Sequence, residues 1–84
     1  MPNPFNPMTV IRFAIAKPGW VGLVVYDVTG RAVRVLVEGV RQVNRYEVTW
    51  DGCDDSDRAV ASGVYVYMLN APGYNETKKM VLLR

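Results

Sequence analysis

Ala61 to Asn70, ASGVYVYMLN, is the most strand-like stretch of the chain. Ser62 and Gly63 let the backbone reverse, and the six residues after them are β-branched, aromatic or long and apolar, the types that suit a pleated, half-buried surface. Side chains alternate across a strand, so Tyr65, Tyr67 and Leu69 share one face and Val64, Val66 and Met68 the other. Asn70 falls with the second set, which assigns Tyr65, Tyr67 and Leu69 to the core. A strand apolar on both faces predicts neighbours on both sides.

The flanking sequence supplies them. Thr9–Ile15 alternates with Ile11, Phe13 and Ile15 on one face. Lys17–Gly19 is a turn, and Val21, Leu23 and Val25 then point one way, Val24 and Tyr26 the other. DVTGR at 27–31, with Asp27 and Gly30 at turn positions, reads as a hairpin connection. In Ala32–Val37 a solvent-facing Arg34 puts Val33, Val35 and Val37 inward, and Leu36 then requires a bulge or a second buried face. Arg45–Trp50 alternates cleanly, Tyr46, Val48 and Trp50 against Arg45, Glu47 and Thr49. Pro72 and Gly73 mark a turn before a last strand at Thr77–Leu83, where Lys78 and Lys79 suit a sheet edge. Six strands are predicted, with a short seventh around Ala59–Ala61. Strands spaced about 8 to 12 residues apart, without helical periodicity, indicate an all-β sandwich or small barrel. Residues 1–8, with Pro2, Pro4 and Pro7, read as a stiff entry linker in which Phe5 is the apolar plug, and 9–84 as the domain.

Composition narrows the function. The 84 residues suffice for one small domain, and 50% of them are hydrophobic. Ten basic residues against eight acidic, scattered from Arg12 to Arg84, form no stripe for nucleic acid. Cys53 is the lone cysteine, so no internal disulfide forms and a monomer needing no cofactor is expected. No apolar run approaches the roughly 18 residues of a membrane helix. The opening reads as that of a domain cut from a longer chain, and if that chain is exported its export signal lies elsewhere.

With no histidine, neither a Ser-His nor a Cys-His nucleophile pair can be built, and the chain reads as non-catalytic. Cys53 sits among Asp51, Asp54 and Asp55, which raises a thiol pKa. The loop DGCDDSDR at 51–58 holds four of the eight acidic residues, and Asp51, Asp54, Asp55 and Asp57 are the types of ligand a hard cation takes. Their spacing is not that of an EF-hand, and Asp is a common turn former, so turn formation is the favoured role. Among the aromatic residues, Trp20 and Tyr74 lie in or near turns and are the candidates for a sugar-binding surface, the others reading as core or rim.

PNPFNP-x-T-x-I-x-F at 2–13, VYDVTGR at 25–31, TWDG at 49–52, VASGVYVYML at 60–69 and KKMVLLR at 78–84 together resemble the C-terminal sorting domain of the type IX secretion system. The motif positions are Pro4, Phe5, Asn6, Pro7, Gly30, Trp50, Asp51, Gly52, Gly63 and Tyr65. The chain is also similar to the immunoglobulin-like domain of the flagellar hook-cap protein, which shares the VYD-x-x-G-R and WDG turns. Asn44 and Asp57 stand where both families usually have glycine. The resemblance implies an immunoglobulin-like antiparallel sandwich of about seven strands. It also implies that an N-terminal passenger is carried through an outer-membrane translocon, from the periplasm to the cell surface or medium, with a sortase acting near the linker. Lys78, Lys79, Met80, Val81, Leu82, Leu83 and Arg84 would be the recognised segment. Two alternatives stand beside this one: a structural or assembly module of hook-cap type, and a carbohydrate-binding accessory domain.

Overall fold

The computed structural model describes residues 8–84. The predicted linker motif Pro4, Phe5, Asn6 and Pro7 lies outside them. Six strands make up the domain: β1 (Thr9–Ile15), β2 (Gly19–Asp27), β3 (Ala32–Arg41), β4 (Asn44–Trp50), β5 (Gly63–Ala71) and β6 (Tyr74–Leu82). They form two antiparallel sheets, β1–β4 and β3–β2–β5–β6, and no helix is present among the described residues. This is an immunoglobulin-like sandwich with one strand fewer than predicted. The seventh strand reduces to one antiparallel bridge between Cys53 and Ala59, because residues 52–60 fold back on themselves through Val60 N–H donating to the Gly52 carbonyl.

β5 pairs with β2 on one side and β6 on the other, as its two apolar faces predict. Tyr65, Tyr67 and Leu69 are buried, together with Ile11, Phe13 and Ile15 of β1, Val21, Leu23 and Val25 of β2, and Met80 and Leu82 of β6. Between the sheets lies Trp50, 0% exposed, its ring meeting that of Tyr65 edge-on at 5.2 Å. Such a pair buries large apolar area in a favoured aromatic geometry. At the far end the Tyr74 hydroxyl donates to the Ala14 carbonyl, a second tie between the sheets.

β3 departs from its predicted alternation. Register shifts against β2 fall between Leu23 and Val24 and between Val25 and Tyr26, so Val37 pairs with Leu23 but Val35 pairs with Val24. Two bulges place both Leu36 and Val33 against the core and turn Val35, 38% exposed, to the outside. An extra residue in one strand of a pair resets which face its successors occupy. The last strand also begins earlier than predicted, at Tyr74, because the Pro72-Gly73 turn is tight enough for Ala71 to pair with Tyr74.

Candidate functional site

The acidic loop is built from turns. Asp54 accepts through Oδ1 from the backbone N–H groups of Ser56 and Arg58, while its own N–H donates to the Arg58 carbonyl and Asp57 N–H donates to the Asp54 carbonyl. The hairpin at Asp27 repeats this pattern. Asp27 Oδ1 accepts from the N–H groups of Thr29 and Arg31, Asp27 N–H donates to the Arg31 carbonyl, and Gly30 N–H donates to the Asp27 carbonyl. D-V-T-G-R and D-D-S-D-R are therefore one five-residue turn used twice, with a left-handed residue in fourth place: Gly30 at φ 87° and Asp57 at φ 61°. Asp tolerates that conformation better than most residues with a side chain, which is why the glycine can be replaced at position 57.

Both pivotal carboxylates are held below the usual range. For Asp27 the main cause is the Thr29 hydroxyl, which donates at 2.6 Å. For Asp54 it is the Arg58 N–H. The remaining acidic side chains are also committed. Asp51 Oδ1 accepts from Cys53 N–H, Asp55 Oδ1 accepts from Val35 N–H on the rim of β3, and Asp57 pairs with Arg34 at 3.1 Å. Among the described residues no three potential ligands gather as a metal would require, and the carboxylates instead satisfy local backbone. Burial first, and then Asp51, push the Cys53 thiol pKa up, which disfavours the thiolate.

The predicted recognition segment divides by face. Met80 and Leu82 are core residues. Lys79 and Val81 point outward, Lys78 lies 3.9 Å from Glu76, and Leu83 is exposed. Arg84 is engaged in the fold: its N–H donates to Ser62 Oγ at 2.9 Å, and its guanidinium donates to the Val60 and Gly52 carbonyls. Ser62 lies in the bend before β5, but its hydroxyl accepts from Arg84 rather than bonding to neighbouring backbone as a turn hydroxyl would. Trp20 and Tyr74, the two sugar-surface candidates, do not share a face. Tyr74 bonds across to β1, whereas Trp20 is 54% exposed on the outer side of the four-stranded sheet.

That outer side is the least expected surface of the molecule. Val24 stands between Val35 and Met68 in one row, Tyr26 lies beside Val66 in the next, and Val64 lies beside Val81 beyond them. Val35, Val64, Met68 and Val81 are exposed, Val81 to 61%. By contrast the outer side of β1–β4 is polar, with Arg12 paired to Glu47 at 3.0 Å. The alternation of β5 contained this signal, since its second face is as apolar as its first.

A family model for the FlgD Ig-like domain matches residues 14–73. The chain belongs to that family. The matched span contains both five-residue turns, Trp50, Gly52, Gly63 and Tyr65, but stops short of the motifs at 2–13 and 78–84 that carry the likeness to sorting domains. No curated protein and no solved structure matches the chain.

Proposed function

We propose that this FlgD-type Ig-like domain is a non-catalytic assembly module that docks on a neighbouring protein through the outer face of its four-stranded sheet. The observation that carries the reading is the apolar field of Val24, Tyr26, Val35, Val64, Val66, Met68 and Val81 on a face that no described residue covers. Contiguous exposed apolar patches of this kind mark interaction sites in soluble proteins. The polar groups of the two turns are consumed in holding the fold, whereas this face has no partner among the described residues. Met68→Lys with Val81→Lys changes two exposed side chains and leaves the core intact. The double variant should keep its β-sheet circular dichroism while the full protein that carries the domain loses its assembled species in light scattering. Unchanged assembly refutes the docking face.

A second reading, the type IX sorting domain, draws on β6. It is an edge strand of the four-stranded sheet, and it carries the exposed Lys78 and Lys79. In this reading the translocon and sortase are the partners, a passenger precedes the domain, and the route runs from the periplasm to the cell surface. A periplasmic reporter fused ahead of the domain should reach the surface of a host with a type IX system, and Lys78→Ala with Lys79→Ala should reduce export. A wild-type fusion retained in the periplasm sinks the sorting reading and leaves the assembly reading standing.

A further inference from the structure

Beside the apolar field, at the other end of the same face, Trp20 lies in an unusual place. Gly22 has no side chain, and the Trp20 ring fills the space above it: a Cβ built on Gly22 would overlap Cη2 of the indole and stand 2.7 Å from Cζ3. Gly22 is accordingly buried although it is on the outer face. Its two cross-strand partners are Glu38 on β3 and Asn70 on β5, and Asn70 in turn pairs with Asn75 on β6. Partners directly opposite each other on a sheet sit about 5 Å apart, so a carboxylate and a carboxamide flank the indole, with a second carboxamide one strand further on. Val40, opposite Trp20 itself, extends the apolar floor.

These side chains are exposed. Among the described residues no hydrogen bond or ion pair involves the side chains of Glu38, Asn70 or Asn75. They differ in this from the carboxylates of the acidic loop, each of which is tied to backbone or to Arg34.

We propose that this row, Glu38–Trp20–Asn70–Asn75, is a binding site for a neutral polysaccharide chain. The apolar C–H face of a pyranose ring stacks on the indole, an amphipathic surface that is apolar in the middle and able to donate at its edge. Planar carboxylate and carboxamide groups on either side supply acceptors and donors for the ring hydroxyls. A single carboxylate in the row disfavours an acidic glycan. The site is open rather than enclosed, so it suits several residues of a chain running across the strands, not one buried sugar. It goes beyond the docking face proposed above and does not depend on it, because it uses none of the same side chains.

Two measurements test it. Native gels cast with hydroxyethylcellulose, xyloglucan or galactomannan report binding as retarded migration, and cellohexaose titration reports it through indole fluorescence. Trp20 is the exposed tryptophan and Trp50 is buried, so a ligand-induced change in emission assigns contact to Trp20. Retardation of the wild type by at least one polysaccharide, lost in Trp20→Ala and weakened about fivefold in Asn70→Ala, is the expected result. Gly22→Ala pushes the ring off its seat without altering its chemistry and should also weaken binding. All three variants change residues on the outer face, and circular dichroism checks that they stay folded. Migration of the wild type unaffected by every polysaccharide overturns the proposal, as does undiminished retardation of Trp20→Ala. A concentration-dependent sedimentation coefficient that Trp20→Ala abolishes would overturn it too, by assigning the row to a second copy of the chain.

Discussion

Replacing Trp50 by alanine should remove most of the stability of this domain. The indole is fully buried between the two sheets, its ring meets Tyr65 at 5.2 Å with an interplanar angle of 65°, and its Nε1–H donates to the Cys53 carbonyl at 2.9 Å. Truncating a buried tryptophan costs about 3–5 kcal/mol in lost transfer energy and cavity formation. Leaving the Cys53 carbonyl without its donor adds about 1 kcal/mol. A chain of 84 residues has a total stability on the order of 4–12 kcal/mol at about 0.05–0.15 kcal/mol per residue. Urea denaturation followed by far-ultraviolet circular dichroism is the assay, since fluorescence would report Trp20 once Trp50 is gone. With a slope of about 1 kcal/mol per molar urea for a domain of this size, the midpoint should fall by about 3 M or more. Should the alanine variant be unfolded in buffer, Trp50→Phe gives a graded test. It retains a ring opposite Tyr65, loses the hydrogen bond and part of the volume, and should shift the midpoint by less than half as much. A midpoint equal to wild type in both variants would refute the placement of Trp50 between the sheets.

Two further predictions concern pH. Burial first, and then the hydrogen bond its hydroxyl donates to Glu76 at 2.9 Å, push the pKa of Tyr67 up to about 12. The folded state thus favours the neutral phenol, and its contribution is complete below the ordinary tyrosine pKa near 10 and lost as pH rises from there towards 12. Thermal midpoints should fall across that window in the wild type and much less in Tyr67→Phe, and an equal fall in both would count against the assignment. At the acid end the carboxylates of Asp27 and Asp54 are depressed, so their contribution is present above the ordinary value near 4 and disappears as pH drops through their folded-state pKa values. Asp27→Ala with Asp54→Ala should therefore be less stable than wild type at neutral pH, with a shallower loss on acidification. A parallel acid profile would show that the two turns do not depend on ionised carboxylates.

The faces of β1, β4 and β5 were legible because those strands keep strict alternation, and burial then selects one parity: Phe13, Trp50 and Tyr67 all lie inward as their spacing requires. β3 was legible only in part: the bulge at Leu36 was foreseen, but the second register shift and the outward turn of Val35 were not. Leu36 was the clue, an apolar residue at a position that regular alternation would place outside. The acidic loop was legible in its turn-forming role but not in its exact form. Four aspartates in eight positions suggest a cation site when counted, but when aligned with DVTGR they spell the same turn a second time, and D-x-[ST]-x-R was the signal that would have found it. The seat of Trp20 on Gly22 was hidden for a simpler reason: the two residues are adjacent on one face of β2, yet only the placement of the indole shows that the ring folds back over its neighbour.

The edges of the larger sheet bear on how such a domain can associate. An edge strand offers unpaired backbone groups to any other chain. On β3 that opportunity is partly closed, because Asp55 N–H donates to the Val33 carbonyl and the Asp55 carboxylate accepts from Val35 N–H, while Arg34 donates to the Asp54 carbonyl. The acidic loop therefore lies against the β3 edge like a short piece of added strand, and the clasp of Arg84 on Gly52 and Val60 holds the base of that loop in place. β6 has no such cover among the described residues, but Lys78 and Lys79 set two copies against each other by like charge if they meet edge to edge. A partner that adds a strand must then approach β6 with acidic side chains to match the lysines, and a partner without them is directed to the apolar face instead. Substituting Lys78 and Lys79 tests the first route and substituting Met68 and Val81 weighs most on the second; Lys79 lies beside Val66 on the outer face, so Lys78, on the opposite side of β6, is the substitution that separates the assembly and sorting readings.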